Sequence, residues 1–248
     1  MDALSLAAAS GMRARQESLE MLANNLANQA SPGFKADREF YSLYLSPEAM
    51  PAAAGGPVKP PTVAPLIERQ FTDFTQGVLQ DTGNALDLAL SGPGFFVVRG
   101  PQGPLYTRNG QWRISPRGEM ETQDGYPVLD VNNRPIRVDP LRAFTVAPDG
   151  QVRQGIEVVG RIAMADFPQS EALVKRSGTY FQWNGPAGGR RSSPAEIHQG
   201  RLEAANFAPA EAAVRLIGIM RQFEALQKAM QIGGEMGRRL EDIARPGT

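Results

Sequence analysis

Two apolar stripes of helical period, one at each end of the chain, bracket a middle section with no helical period. Ala8, Met12, Arg15, Leu19, Leu22 and Leu26 follow one another at alternating steps of four and three, Arg15 being the one polar member. That is the spacing of a heptad seam. The helix stops near Asn28, because Ser31-Pro32-Gly33 cannot continue it. Some 25 helical residues span ~37 Å. At the other end Ala212, Leu216, Ile219, Phe223, Leu226 and Met230 repeat the same alternation. The seam weakens after Met230, where Gly233, Gly234 and Gly237 each cost roughly 1 kcal/mol relative to alanine. Pro209 is tolerated near the start of this helix, and the Arg245-Pro246-Gly247-Thr248 end is expected to fray. A lone amphipathic helix is marginal in water, so each stripe needs a partner. The partner is the other terminal helix, the same helices of neighbouring subunits, or the central domain taking both helices as ordinary core elements.

Between the stripes, Ser46 to Pro65 holds six prolines and the pair Gly55-Gly56, and reads as an extended linker or surface loop. From about Leu66 the pattern is that of short strands and turns. Phe95-Phe96-Val97-Val98 is a short buried strand. Leu105–Arg108, Asn109-Gly110 and Gln111–Ile114 predict a hairpin, and Asp124-Gly125 and Asp149-Gly150 predict further turns. Ile136-Arg137-Val138, Val152 and Val158 to Phe167 continue the strands.

Lys plus Arg (26) balances Asp plus Glu (26), so nothing draws the chain to nucleic acid or an anionic membrane. Arg190-Arg191-Ser192-Ser193 is too short a basic run, and lacks the aromatics, to change that. No cysteine is present, which excludes disulfides and thiolate metal sites. No uncharged apolar run reaches membrane-spanning length, and Met1-Asp2-Ala3-Leu4 lacks the basic, then apolar, start of a cleaved secretion signal. Catalysis lacks its usual parts. The single histidine, His198, reads as a solvated loop residue, and no GxSxG, HExxH or phosphate-binding loop occurs. Asp81, Asp87, Asp124 and Asp149 could pair for glycoside hydrolysis, but turn chemistry already explains Asp124 and Asp149 before their glycines. Catalytic, cofactor and metal sites are therefore expected to be none. Trp112, Trp183, Tyr180 and Phe181 offer either a carbohydrate-stacking face or ordinary core aromatics.

Ser10 to Arg38 reads SGMRARQESLEMLANNLANQASPGFKADR. With Gly11-Met12, Gln16, Leu19, Ala23-Asn24-Asn25-Leu26-Ala27-Asn28 and Pro32-Gly33-Phe34-Lys35, it resembles the N-terminal signature of the flagellar rod and hook family. Thr82–Leu90 leading into Gly92–Val97, and Tyr106-Thr107-Arg108-Asn109-Gly110 leading through Gly118 to Asp124–Leu129, resemble that family's central domain. Leu202–Phe207 and Arg221-Gln222-Phe223-Glu224 resemble its closing helix, with Ala205-Asn206-Phe207 where Ser-Asn-Val is usual, Ala212-Ala213 replacing a Glu-Met pair, and Gly233-Gly234 before Glu235-Met236. The opening Met1-Asp2 and Ala30–Asp37 resemble the family's proximal rod members more than its distal ones.

The resemblance implies a mainly β central domain of many short strands, flanked by long N- and C-terminal α-helices that form coiled coils. The expected division is an assembly helix over 1–30, a turn and linker over 31–65, an all-β domain over 66–200 and a second assembly helix over 201–248. The implied function is a structural, non-enzymatic subunit of the basal-body rod, self-assembling into the drive shaft for motility. Partners are copies of itself, other rod subunits and the export apparatus, with no nucleic acid and no membrane insertion. Passage to the rod proceeds without a cleaved signal peptide. Expected assembly residues are Met12, Leu19, Leu22, Asn24, Asn25, Leu26, Asn28, Gly33, Phe34, Leu216, Ile219, Phe223, Leu226 and Met230. Leu19, Leu22 and Leu26 act as seam knobs, and the Phe34 ring anchors the turn. The competing function is a carbohydrate-binding or glycan-processing β-domain with packed terminal helices.

Overall fold

The computed structural model describes the backbone of residues 3–45, 63–186 and 188–244, and side chains over 9–39, 71–186 and 188–235. Met1-Asp2, most of the proline-rich linker (46–62) and the C-terminal Arg245–Thr248 lie outside the described residues, as do the side chains of Ala8 and Leu240. Helix α1 (Ala3–Ala27) opens the chain and α2 (Pro209–Ala244) closes it. Between them run β1 (Asp37–Leu45), β2 (Val63–Thr72), β3 (Leu79–Asp81), β4 (Leu88–Ser91), β5 (Phe95–Gly100) and β6 (Gly103–Thr107). Then come β7 (Trp112–Ile114), β8 (Met120–Thr122), β9 (Thr145–Val146), β10 (Gln151–Gln154), β11 (Glu157–Arg161) and β12 (Met164–Asp166). The series ends with β13 (Leu173–Ser177), β14 (Tyr180–Trp183), β15 (Arg191–Ser192), β16 (Glu196–Gln199) and β17 (Arg201–Glu203). The mainly β centre with one helix at each terminus is as the sequence predicts.

The chain divides into two units: Met1–Leu26, Asp37–Phe71 and Ala208–Thr248 form one, Ala27–Ala36 and Thr72–Phe207 the other. In the helical unit β1 pairs with β2, so the segment before the proline-rich stretch is a strand. The buried face of α1 runs through Gly11, Ala14, Ser18, Met21, Leu22 and Asn25, close to the predicted stripe but turned toward small residues. A Cβ placed on Gly11 would sit 3.3 Å from Leu226 Cδ1, so the glycine lets α2 come close. On α2, Ala212 and Ile219 are buried and Leu216, Phe223, Leu226 and Met230 half-buried, along the predicted seam. One carboxylate links three elements: Ser18 Oγ donates to Glu39 Oε2 at 2.7 Å, and Arg215 donates to Glu39 Oε1.

The β unit is built on a six-stranded antiparallel sheet ordered β13-β14-β6-β5-β12-β15. Alternation along β5 makes two cores from one strand. Phe96 and Val98 enter a cluster with Leu88, Leu90, Trp112, Met120 and Ile162. Phe95 and Val97 enter another with Tyr106, Phe167, Leu173 and Phe181. A strand buried on both faces reads as an unbroken apolar run, which is why Phe95–Val98 stood out.

The hairpin predicted at Asn109-Gly110 does not form. Strand β6 pairs with β5 and β14, whereas β7 pairs with β8. Neither Asn109 nor Gly110 has the positive φ that a tight two-residue hairpin needs. The dipeptide instead carries the chain from one sheet to another past β4. Leu88 N–H donates to Gly110 O at 3.0 Å, and any side chain on Gly110 would strike the Leu88 carbonyl. The turns at Gly125 and Gly150 do form, with φ of 84° and 86°. His198 is not a loop residue: it lies in β16, paired with Ala89 of β4.

Trp112 sits edge-on to Phe96, with ring centroids 5.2 Å apart. Trp112→Ala is expected to cost about 3–5 kcal/mol in urea unfolding of the full chain. Val78→Ala, at an exposed aliphatic, is expected to stay within about 0.5 kcal/mol.

Candidate functional site

The family-like segments that are far apart in sequence meet at one buried carboxylate within the β unit. Helix α1 ends at Ala27, and Ser31 N–H closes the following turn on Asn28 O at 3.0 Å. Gly33, at φ 68°, then reverses the chain. A side chain there would strike the Arg108–Asn109 peptide, so only glycine lets the two segments lie this close. Gly33 N–H donates to Glu203 O at 2.7 Å, which sets the N-terminal passage beside the end of β17.

Lys35, Arg108 and Glu203 are all buried. Lys35 Nζ donates to Glu203 Oε1 at 2.6 Å and to Thr75 O at 2.6 Å. Gly77 N–H donates to the same Oε1 at 2.9 Å. Arg108 Nη1 donates to Glu203 Oε2 at 3.1 Å, and its Nη2 donates to Gly92 O at 2.6 Å. Each carboxylate oxygen therefore accepts a charged donor. Burial holds the Lys35 ammonium below the ordinary lysine range, and Glu203 opposes that shift. Two cations face one carboxylate, so Glu203 is the member whose loss leaves the most charge uncompensated.

Asn206 extends the clamp. Its Oδ1 accepts from Ala36 N–H at 2.8 Å, and its Nδ2 donates to Asp73 O at 2.7 Å. Asp73 N–H in turn donates to Ala36 O at 2.8 Å. Ala36, Asp73 and Asn206 lie at or next to three of the four places where the chain passes between its two units. The arrangement ties these chain segments together within the β unit. Among the described residues no cluster of His, Asp or Glu could hold a metal ion.

The predicted assembly residues fall into two groups. Gly33 and Phe34 belong to the clamp, with Phe34 buried and Lys175 Nζ 4.5 Å from its ring centroid. The Phe34 pocket is thus supplied by the chain's own β unit. Met12, Leu19, Leu22, Leu216, Ile219, Phe223, Leu226 and Met230 belong to the helical unit, where Leu26 is exposed. Asn24 is also exposed, and Asn28 half-buried. Asn25 makes a pair with the first residue of β1: its Nδ2 donates to Asp37 O at 2.8 Å and its Oδ1 accepts from Asp37 N–H at 3.0 Å. The aromatics weighed as a sugar-stacking face are divided. Trp112 and Tyr180 belong to the first core cluster and Phe181 to the second, and Trp183 stacks on Phe167 at 4.8 Å. Sequence reasoning passed over Lys35, Arg108 and Glu203 as site residues. The signal available was a charged residue inside each of three recognisable motifs.

Removing one partner of a buried ion cluster costs about 3–5 kcal/mol, whereas exposed pairs contribute about 0–1 kcal/mol. Glu203→Gln is therefore expected to lower unfolding free energy by about 3–5 kcal/mol in urea titrations. Arg201→Ala, which removes the exposed pair with Asp81, is expected to change it by less than about 1 kcal/mol.

Three family models match the chain. Residues 6–35 match the model for flagella basal body rod protein, 89–154 that for the flagellar hook protein FlgE/F/G D1 domain, and 198–243 that for the flagellar basal body rod FlgEFG protein C-terminal region. The clamp draws one residue, Lys35 and Arg108, from each of the first two segments and Glu203 from the third. The chain is 35% identical to the flagellar basal-body rod protein FlgF of Caulobacter vibrioides, over 92% of this chain and 91% of the relative. It is 29% identical to FlgF of Mesorhizobium japonicum, over 88% and 87%. To the rod protein FlgG of Bacillus subtilis it is 28% identical, over 95% and 97%. A signature turn, a central β-domain and a returning C-terminal strand, matched in order and joined at one carboxylate, establish that this chain belongs to the flagellar basal-body rod protein family.

Proposed function

We propose that this structural rod subunit joins its neighbours through its terminal helices, which associate as coiled coils around the rod axis. The observation that carries the reading is an apolar stripe on α2 left exposed in the single chain. Val214, Ile217 and Met220 are 73%, 53% and 50% exposed, on the side away from the buried Ala212 and Ile219. Contiguous exposed apolar surface marks an interaction site. Leu26 of α1 is also exposed, at 38%.

In this reading the inner seam of α2 is satisfied within the subunit and the outer stripe is covered by a neighbour. Met12, Leu19, Leu22, Leu216, Ile219, Phe223, Leu226 and Met230 then shape the helical unit that presents the stripe. The subunit acts mechanically, without catalysis, together with copies of itself and other rod subunits. Support for passage through the flagellar export apparatus comes from family membership alone. The carbohydrate-binding reading draws no support from Trp112, which is spent in the core.

Val214→Glu with Ile217→Glu tests the reading. Both positions are exposed, so the free protein is expected to unfold within about 0.5 kcal/mol of the parent. Incorporation into rods and swimming are expected to be lost. Swimming at the parental level would refute assembly through this face.

A further inference from the structure

The three-stranded sheet β11-β10-β9 has unlike ends. At one end the β10–β11 turn presents Ile156, which is 104% exposed. The adjoining Asp139–Arg142 turn presents Leu141, which is 93% exposed. Turn tips ordinarily carry Gly, Asn or Asp. A single exposed aliphatic is unremarkable. These two, however, stand on turns locked together by one buried amide. Gln154 Oε1 accepts from Asp139 N–H at 2.9 Å, and its Nε2 donates to Asp139 O at 2.9 Å and to Arg142 O at 3.0 Å. Leu141 N–H donates to Asp139 Oδ1 at 2.9 Å, which stiffens the second turn. The result is a two-pronged apolar projection, with the exposed carboxylate of Glu157 beside it, 3.7 Å from Arg142 Nη1.

The other end of the same sheet opens on a cavity of about 560 Å³. Its lining includes the apolar Val131, Pro148 and Pro194, the ion-paired Arg161 and Asp149, Glu196, and Arg190 and Arg191. The cavity lies at the Gln151↔Arg161 end of the β10–β11 pair, and the projection at the Gln154↔Glu157 end. Three residue steps, about 10 Å of strand, separate the two ends.

We propose that the projection of one copy seats in this cavity of a second copy. Ile156 and Leu141 meet Val131, Pro148 and Pro194, and Glu157 faces Arg190 and Arg191. Three arginines (Arg161, Arg190 and Arg191) against Asp149 and Glu196 leave the cavity lining net positive, whereas Asp139 and Glu157 against Arg142 leave the projection net negative, and the two sit at opposite ends of one sheet. Contact between unlike surfaces repeats head to tail and generates a stack, as a rod requires. The balanced net charge puts no long-range repulsion between copies. The inference rests on the rod-subunit reading and gives the β unit its own contact, separate from the helices.

The absence of cysteine makes the test direct. Ile156→Cys and Val131→Cys are introduced together in the sole copy of a motile cell, and oxidised basal bodies are analysed without reductant. A ladder of dimers, trimers and larger adducts of this chain is expected, while either single variant gives none. Leu141→Asp in the same background is expected to reduce the adduct about tenfold, because it puts a charge into the apolar contact. Ile156→Cys alone dimerising as well as the pair, adducts to a different rod protein, or no adduct in cells that swim would each overturn the proposal. Swimming shows that the chain has entered rods, so a negative result there leaves the rod reading standing. If the cysteine pair blocks entry, charge exchange decides instead. Glu157→Arg is expected to impair swimming and Arg191→Glu in the same chain to restore it; failure of that rescue overturns the contact.

Discussion

Glu203 is the residue on which the β unit's organisation depends. Its carboxylate takes Lys35 from the N-terminal turn, Arg108 from the link between two sheets, and the Gly77 N–H from the passage before β3. A carboxylate this deeply buried is costly without partners, and three donors at 2.6–3.1 Å compensate it. Moving the Lys35 or the Arg108 segment strands a charge, and moving Gly77 removes a donor from Glu203 Oε1.

A second carboxylate repeats the principle in the helical unit. Glu39 of β1 receives Ser18 from α1 and Arg215 from α2. Each unit thus joins sequence-distant elements through one acidic residue. The asparagines complete the scheme locally: Asn25 closes on Asp37, and Asn206 on Ala36 and Asp73. A side-chain amide can accept and donate at once, so it stands in for a strand partner where the chain bends away from a sheet.

Local chemistry was legible in the sequence and long-range pairing was not. The end of α1, the α2 seam and the burial of the Phe95–Val98 strand all follow from period and breaker residues. The Asn109-Gly110 turn misled because a dipeptide signal carries no information about which strand β6 prefers. Tyr106 of β6 is buried in the core shared with β5, and this tertiary gain outweighs the local hairpin. His198 was misplaced for a similar reason, since the strand around it exists only by pairing with β4. The ion cluster joins residues 95 and 168 positions apart, where no spacing rule applies. A charge in a motif reads as solvated until its partner is seen.

Amide hydrogen exchange on the full-length free chain tests the clamp most directly. Gly33 donates to Glu203 O, Ala36 to Asn206 Oδ1, and Asn206 to Phe34 O. These amides are predicted to exchange as slowly as those of Val97 and Val98 in β5, opening only when the β unit unfolds. Fast exchange at Gly33, Ala36 and Asn206 while β5 stays protected would contradict the account, because the joint would then open independently of the domain it is held to anchor.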